Sequence, residues 1–231
     1  AVAALQFLRR PFRHEVEPAG RLIHVSAGAS GFVPLGAVPP AFVRMLLMAE
    51  DAGFFGHPGI DVAEIPAAWA ENLERGRFKR GASTITQQLA RNLFLSRDKT
   101  YGRKMEEAAL ALALDAAVPK ARLLEIYLNV IEWGPGVYGL GPAARHYFGK
   151  APSQLTTREM AFLVCLVPSP VRYHSAHRAG QAGPGMTQLM DNLLAKMHAA
   201  GALDDDGYAQ ALSDVLVFAP EEGEATARTA G

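Results

Sequence analysis

A helical pattern of apolar residues runs into two adjacent carboxylates, Glu50 and Asp51, and then into a glycine-rich turn. Glu50 falls on the apolar stripe, so we expect it to be half-buried. Burial and the charge of Asp51 both raise the pKa of a carboxyl group, as a general base requires. Taken alone, the pair could instead be an acidic helix end in a solvated turn.

A helix accounts for the position of Glu50. Pro39 and Pro40 can occupy its first turn, and Val43, Leu46 and Leu47 recur at helical spacing. Gly53 follows and can end the helix.

A second polar group opens another predicted helix. Thr84 and Gln87 fit a capping box, and Thr84, Gln88 and Arg91 share one face opposite an apolar one that includes Ile85. A helix N-terminus with such a face can meet an anionic or sugar ligand, although a capped surface helix is the alternative.

A third group of residues combines basic and acidic side chains. Arg103 and Lys104 precede Glu107 by four and three residues, so both cations can reach its carboxylate on one helix face. Most pairs of this kind are surface ion pairs that add little stability.

The composition favours one globular domain. The chain has 231 residues, 49% of them hydrophobic, and 23 basic residues balance 23 acidic ones. The zero formal charge gives no support to broad nucleic-acid binding. Cys165 is the one cysteine, which excludes an internal disulfide and a cysteine-based zinc cluster.

No stretch approaches the roughly 20 apolar residues that span a bilayer. Residues 1–8 could be the stub of a removed anchor or an amphipathic start. An apolar stripe after residue 61 leads into a basic segment around Phe78, which suits a membrane surface, although the residues alone slightly favour a core-facing helix followed by a solvated basic loop.

Two other patterns carry no chemistry in this interpretation. Gly134, Gly136 and Gly139 have dinucleotide-binding spacing, but the predicted element before them is a helix rather than a strand. His174 and His177 could share a metal, but with no acidic or thiol companion nearby we interpret them as solvated loop histidines.

Five motifs, in order between about residues 40 and 175, resemble those of the family 51 glycosyltransferases, which polymerise the peptidoglycan precursor lipid II. The matching positions are Glu50, Asp51, Phe54, His57 and Gly59; then Ser83, Thr84, Gln87, Gln88, Arg91 and Asn92; then Arg103, Lys104 and Glu107; then residues 127–150; and finally Pro168, Pro170 and Tyr173. Arg91 replaces a lysine of the family motif, and a planar guanidinium differs in geometry from an ammonium.

The resemblance implies a mainly α, lysozyme-like glycosyltransferase fold with a small membrane-facing jaw subdomain at about residues 60–80. The implied organisation is a lead-in over residues 1–37 with a short hairpin, a glycosyltransferase domain over 38–218, and a disordered tail over 219–231.

The resemblance also implies roles for individual residues. Glu50 would be the general base, and Glu107 a second catalytic residue that orients cations or the donor sugar. The implied substrate-binding residues are Asp51, Phe54, His57, Ser83, Thr84, Gln87, Gln88, Arg91, Asn92, Lys99, Arg103 and Lys104.

The implied partners are lipid II, the growing glycan strand, the membrane surface and proteins of cell-wall synthesis or division, with no nucleic acid. The implied location is the extracytoplasmic face of the bacterial inner membrane, and moenomycin is an implied inhibitor. No cofactor is obligatory, Mg²⁺ or another divalent cation is an optional helper, and the sequence assigns no metal ligand. A lysozyme-like hydrolase and a catalytically silent membrane-surface binding module are the alternatives.

Overall fold

The computed structural model describes residues 2–16, 21–62, 83–95 and 101–220. These residues are mainly α-helical, so the predicted class is confirmed. Lys99, the jaw from residue 63 onward and the tail from residue 221 lie outside the described residues. None of the described helices is long and apolar enough to cross a bilayer.

The chain divides into two compact units. The first contains residues 1–27 and 50–130, and the second contains residues 28–49 and 131–231. The boundary falls inside one helix, α2, whose last residue, Glu50, groups with the first unit.

The first unit holds a hairpin and four described helices. Its elements are α1 (Val2–Leu5), β1 (Phe12–Val16), β2 (Arg21–Val25), α3 (Ile85–Phe94), α4 (Tyr101–Ala117) and α5 (Lys120–Val130). The predicted hairpin is confirmed, because β1 and β2 pair antiparallel with Phe12 opposite Val25. Helix α3 packs against α4 and α5 and buries Ile85, as its apolar pattern predicts.

The second unit holds most of the helices. Its elements are α2 (Pro40–Glu50, as far as residue 49), β3 (Glu132–Gly134), β4 (Val137–Tyr138), α6 (Leu140–Phe148), α7 (Thr157–Leu166), α8 (Pro170–Tyr173), α9 (Ser175–Arg178), α10 (Pro184–Ala199) and α11 (Asp205–Ser213).

Helix α2 begins and ends where the sequence predicts, but its buried face is turned slightly. Phe42, Met45 and Leu46 are fully buried, whereas Val43 and Leu47 are half-buried. The predicted stripe overlooked Phe42 and Met45, which pack on the same side of the helix as Leu46 at spacings of three and four residues.

Two further features differ from the sequence-based expectations. Residues 132–138 form a short antiparallel hairpin rather than a simple helix end, and its two strands do not belong to a βαβ unit. The predicted tail starts too early, because the Ala219 amide donates to the Tyr147 carbonyl at 2.8 Å.

Gly59 of the first unit lies where two backbone segments approach closely. Its φ is +87°, and a Cβ at this position would lie 2.5 Å from the carbonyl oxygen of Ala111 on α4. We expect Gly59→Ala to lower the free energy of unfolding by at least about 2 kcal/mol, because strain and a backbone clash act together.

Urea denaturation measures this effect, with Gly56→Ala as the matched control in the same turn. A Cβ at Gly56 would meet no atom closer than 3.5 Å, and this glycine does not have a positive φ. Equal unfolding free energies for the two variants would contradict the close approach at Gly59.

Candidate active site

Glu50 ends α2 and is half-buried, as predicted. Its Oε2 accepts a hydrogen bond from Nε2 of Gln88 at 2.9 Å. Burial raises the pKa of Glu50, and the charge of Asp51 raises it further, while the Gln88 hydrogen bond and the charge of Arg91 act in the opposite direction. The net pKa is raised, which suits a group that must accept a proton.

Gln88 is held by a buried tyrosine, Tyr127, which the sequence analysis placed at the start of the fourth motif without giving it a role. The hydroxyl of Tyr127, on α5, donates to Oε1 of Gln88 at 2.8 Å. Burial raises the pKa of Tyr127 well above its ordinary value, so the hydroxyl keeps its proton. Because Oε1 accepts from Tyr127, the amide NH₂ of Gln88 is turned toward Glu50. A tyrosine in an apolar stripe was the available signal, since a buried hydroxyl needs a partner.

Asp51 is buried and connects the turn after α2 to the start of α3. Nε2 of His57 donates to Oδ1 of Asp51 at 2.8 Å, and the backbone N–H of Ile85 donates to Oδ2 at 2.9 Å. Thr84 makes a second connection, because its hydroxyl donates to the Gly59 carbonyl at 2.6 Å. These bonds position Glu50 relative to α3.

The predicted capping box at the start of α3 is confirmed. The backbone N–H of Gln87 donates to Oγ1 of Thr84 at 3.1 Å, and the backbone N–H of Thr84 donates to Oε1 of Gln87 at 3.0 Å. Both side chains are buried, and the polar contacts given above are made with other residues of the protein. They therefore shape the helix start on which Gln88 sits.

Phe54 and Asn92, two other predicted site residues, differ in burial. Phe54 is fully buried, with Nζ of Lys120 4.5 Å from its ring centroid, so the ring packs inside the first unit. Asn92 is exposed on α3, and its side-chain amide donates to the Gln88 carbonyl at 2.8 Å.

Glu107 is the acidic centre of a cation cluster on α4. Its side chain is only 1% exposed, whereas neighbouring Glu106 is exposed, so the choice of Glu107 as the partner of both cations is confirmed. Nη1 of Arg103 donates to Oε2 at 3.0 Å, and Nζ of Lys104 donates to Oε1. Lys104 also donates to Oγ of Ser83 at 2.7 Å.

Ser83 links the cation cluster to Glu50. Its hydroxyl contacts Lys104, and its carbonyl lies 3.5 Å from Nε2 of Gln88, the same atom that donates to Glu50. An ammonium has three N–H groups, so Lys104 keeps one donor for a ligand after contacting Ser83 and Glu107. The site can thus supply a carboxylate base and positive charge close together.

The family model described as Transglycosylase matches residues 19–198, which is more than half of the chain. The chain belongs to the transglycosylase family. Biosynthetic peptidoglycan transglycosylases are similar to this chain: that of Laribacter hongkongensis is 48% identical over 147 residues, 64% of each chain. That of Chromobacterium violaceum is 43% identical over 164 residues, 71% of this chain and 72% of the relative.

The chain therefore spans about two thirds of the length of the curated relatives it matches, 64% for that of Laribacter hongkongensis. A solved structure, penicillin-binding protein 1A from Haemophilus influenzae, is similar with a TM-score of 0.47 and 20% identity. The similarity covers 96% of this chain and 23% of that one.

The second unit corrects the interpretation of His174 and His177. His177 is only 4% exposed, and its ring centroid lies 5.5 Å from that of His174 and 4.7 Å from that of His146. The prediction of solvated loop histidines is wrong because His146, on α6, comes from a distant part of the sequence.

Proposed function

We propose that this protein polymerises lipid II into β-1,4-linked glycan strands and releases undecaprenyl pyrophosphate. The observation that carries the proposal is the raised pKa of half-buried Glu50, held by Gln88. The ordered motifs and the names of the relatives, biosynthetic peptidoglycan transglycosylases, support the same reaction.

In the proposed reaction, Glu50 removes the proton from the 4-hydroxyl of the N-acetylglucosamine of lipid II. That oxygen forms a bond to C1 of the lipid-linked N-acetylmuramic acid at the end of the growing strand. The bond from C1 to the pyrophosphate oxygen breaks, its electron pair leaves with the pyrophosphate, and C1 is inverted. The raised pKa strengthens Glu50 as the base for this step.

The pyrophosphate leaves as an anion, so it needs positive charge more than it needs a proton donor. Arg103 and Lys104, held by Glu107, supply this charge in our proposal, together with exposed Arg91 and with Lys99. Each oxygen of Glu107 already accepts from a cation, and the oxygens of Asp51 accept from His57 and from the Ile85 backbone N–H, so these two carboxylates are engaged in contacts within the chain.

The site residues that are buried act as positioning residues in this proposal. Asp51, Thr84, Gln87 and Phe54 shape the turn and the start of α3, whereas Gln88 and Lys104 remain for substrate contact.

We place the reaction at the extracytoplasmic face of the inner membrane, where the lipid-linked substrates are held. Two exposed apolar side chains support a lipid surface next to the site: Phe55 is 61% exposed beside Phe54, and Met105 is 74% exposed beside Lys104. Proteins of cell-wall synthesis or division are the proposed partners there.

Polymerisation of labelled lipid II in detergent tests the function. We expect long glycan that a muramidase digests, and no product in the presence of moenomycin. A lysozyme-like hydrolase would instead release soluble muropeptides from preformed glycan, and a binding module would retain lipid II without turnover. Either result from folded protein would overturn the proposal.

A further inference from the structure

Three histidines meet in the second unit, and none of them is among the residues assigned to glycan synthesis. His146 lies on α6, His174 lies between α8 and α9, and His177 lies on α9. One ring nitrogen from each histidine lies within 4.8 Å of those of the other two. It is the one group of three or more metal-ligating side chains found among the described residues.

Hydrogen bonds orient two of the three rings. Nε2 of His177 lies 2.9 Å from the carbonyl oxygen of Ala219, which can only accept, so Nε2 carries the hydrogen and Nδ1 carries the lone pair.

His174 is oriented through a tyrosine. The Tyr147 hydroxyl donates its one hydrogen to the Trp133 carbonyl at 2.9 Å, and it lies 3.1 Å from Nδ1 of His174. The hydroxyl must therefore accept from Nδ1, which leaves the lone pair of His174 on Nε2. A carbonyl or hydroxyl partner on one ring nitrogen is a usual support of a histidine that binds metal through the other.

We propose that His146, His174 and His177 bind a divalent transition metal ion of the zinc type. Three neutral imidazoles suit Zn²⁺, Co²⁺ or Ni²⁺ better than Mg²⁺ or Ca²⁺, which prefer oxygen ligands. Tetrahedral Zn²⁺ with bonds of about 2.0–2.1 Å places its nitrogen ligands about 3.4 Å apart, so the rings must approach by up to about 1.4 Å.

The half-buried histidines leave the cluster accessible from solvent. His146 and His174 are half-buried, so an ion can enter from solvent, whereas His177 is buried. The bound ion would join α6 to the α8–α9 segment and leave a fourth coordination position for water. The proposed lipid II reaction does not involve this site, so either proposal can fail without the other.

Metal titration of the full, tag-free chain after chelator treatment tests the site. We expect one Zn²⁺ to bind per chain and to raise the Tm by about 5–10 °C when free Zn²⁺ exceeds its Kd about 100-fold. Co²⁺ in its place should give the visible absorption of a tetrahedral site.

The variants His146→Gln and His174→Gln should each weaken Zn²⁺ binding by more than about tenfold and abolish the Co²⁺ absorption. They replace half-buried residues, and circular dichroism checks that they fold. His24→Gln, at an exposed position on β2, is the matched control and should bind as the wild type does. Unchanged binding in the His146 and His174 variants, or equal loss in the control, would overturn the site.

Discussion

We expect Glu50→Gln to abolish nearly all of the proposed lipid II polymerisation while the protein remains at least as stable as the wild type at pH 7. A positioned base contributes about 10²–10⁴-fold to rate, and glutamine keeps the volume and an oxygen for the Gln88 hydrogen bond but cannot accept the proton. Initial rates of polymerisation and thermal unfolding measure the two effects. Exposed Glu15 provides the matched control, Glu15→Gln, which should leave both unchanged.

The raised pKa of Glu50 gives this prediction a pH dependence with a definite sign. Turnover should fall as the pH drops through the raised pKa, because the base becomes protonated. The stability difference runs the other way: relative to Glu50→Gln, the wild type loses stability as the pH rises from the ordinary glutamate range through the raised pKa. An acid limb at the ordinary glutamate pKa, or full activity in the variant, would remove Glu50 from the role of base.

Glu107→Gln should lower both turnover and stability. The carboxylate is 1% exposed, and Arg103, the more buried of its two partners, has a side chain that is 15% exposed. Losing this buried charge-assisted contact should lower the free energy of unfolding by about 1–3 kcal/mol. Lys104 adds little to that loss because half of its side chain is exposed.

We expect the rate of polymerisation by Glu107→Gln to fall about 10²-fold, because the cations that stabilise the leaving pyrophosphate are no longer held in place. Denaturation and initial rates give the two numbers, with Glu106→Gln as the control from the exposed neighbouring position. A variant that loses stability but keeps full turnover would show that Glu107 is structural only.

The features of the site that the sequence predicts are those that depend on residues close to one another in the sequence. The end of α2 at Glu50, the capping box of Thr84 and Gln87, and the reach of Arg103 and Lys104 to Glu107 all depend on spacings of three or four residues, whereas the choice of Glu107 over Glu106 came from the family resemblance. Such spacings fix which side chains share a helix face before any tertiary contact exists.

The contacts that the sequence does not predict join distant positions. The Tyr127 hydroxyl reaches Gln88 across 39 positions, and Asp51 reaches the Ile85 amide across 34. The histidine cluster depends likewise on the packing of α6 near α9. Helical periodicity identifies a buried face, but it does not say which residue of another helix will satisfy a buried hydroxyl or carboxylate.

The bonds from Thr84 to Gly59 and from Ile85 to Asp51 also join positions that are far apart in the chain. Thr84 and Gly59 are 25 positions apart, and Ile85 and Asp51 are 34 positions apart. The entropic cost of bringing two positions together rises slowly with their separation, by about 0.6 kcal/mol per doubling. The alignment of Glu50 with Gln88 is therefore set by the contacts of these four residues and depends only weakly on the number of positions between them.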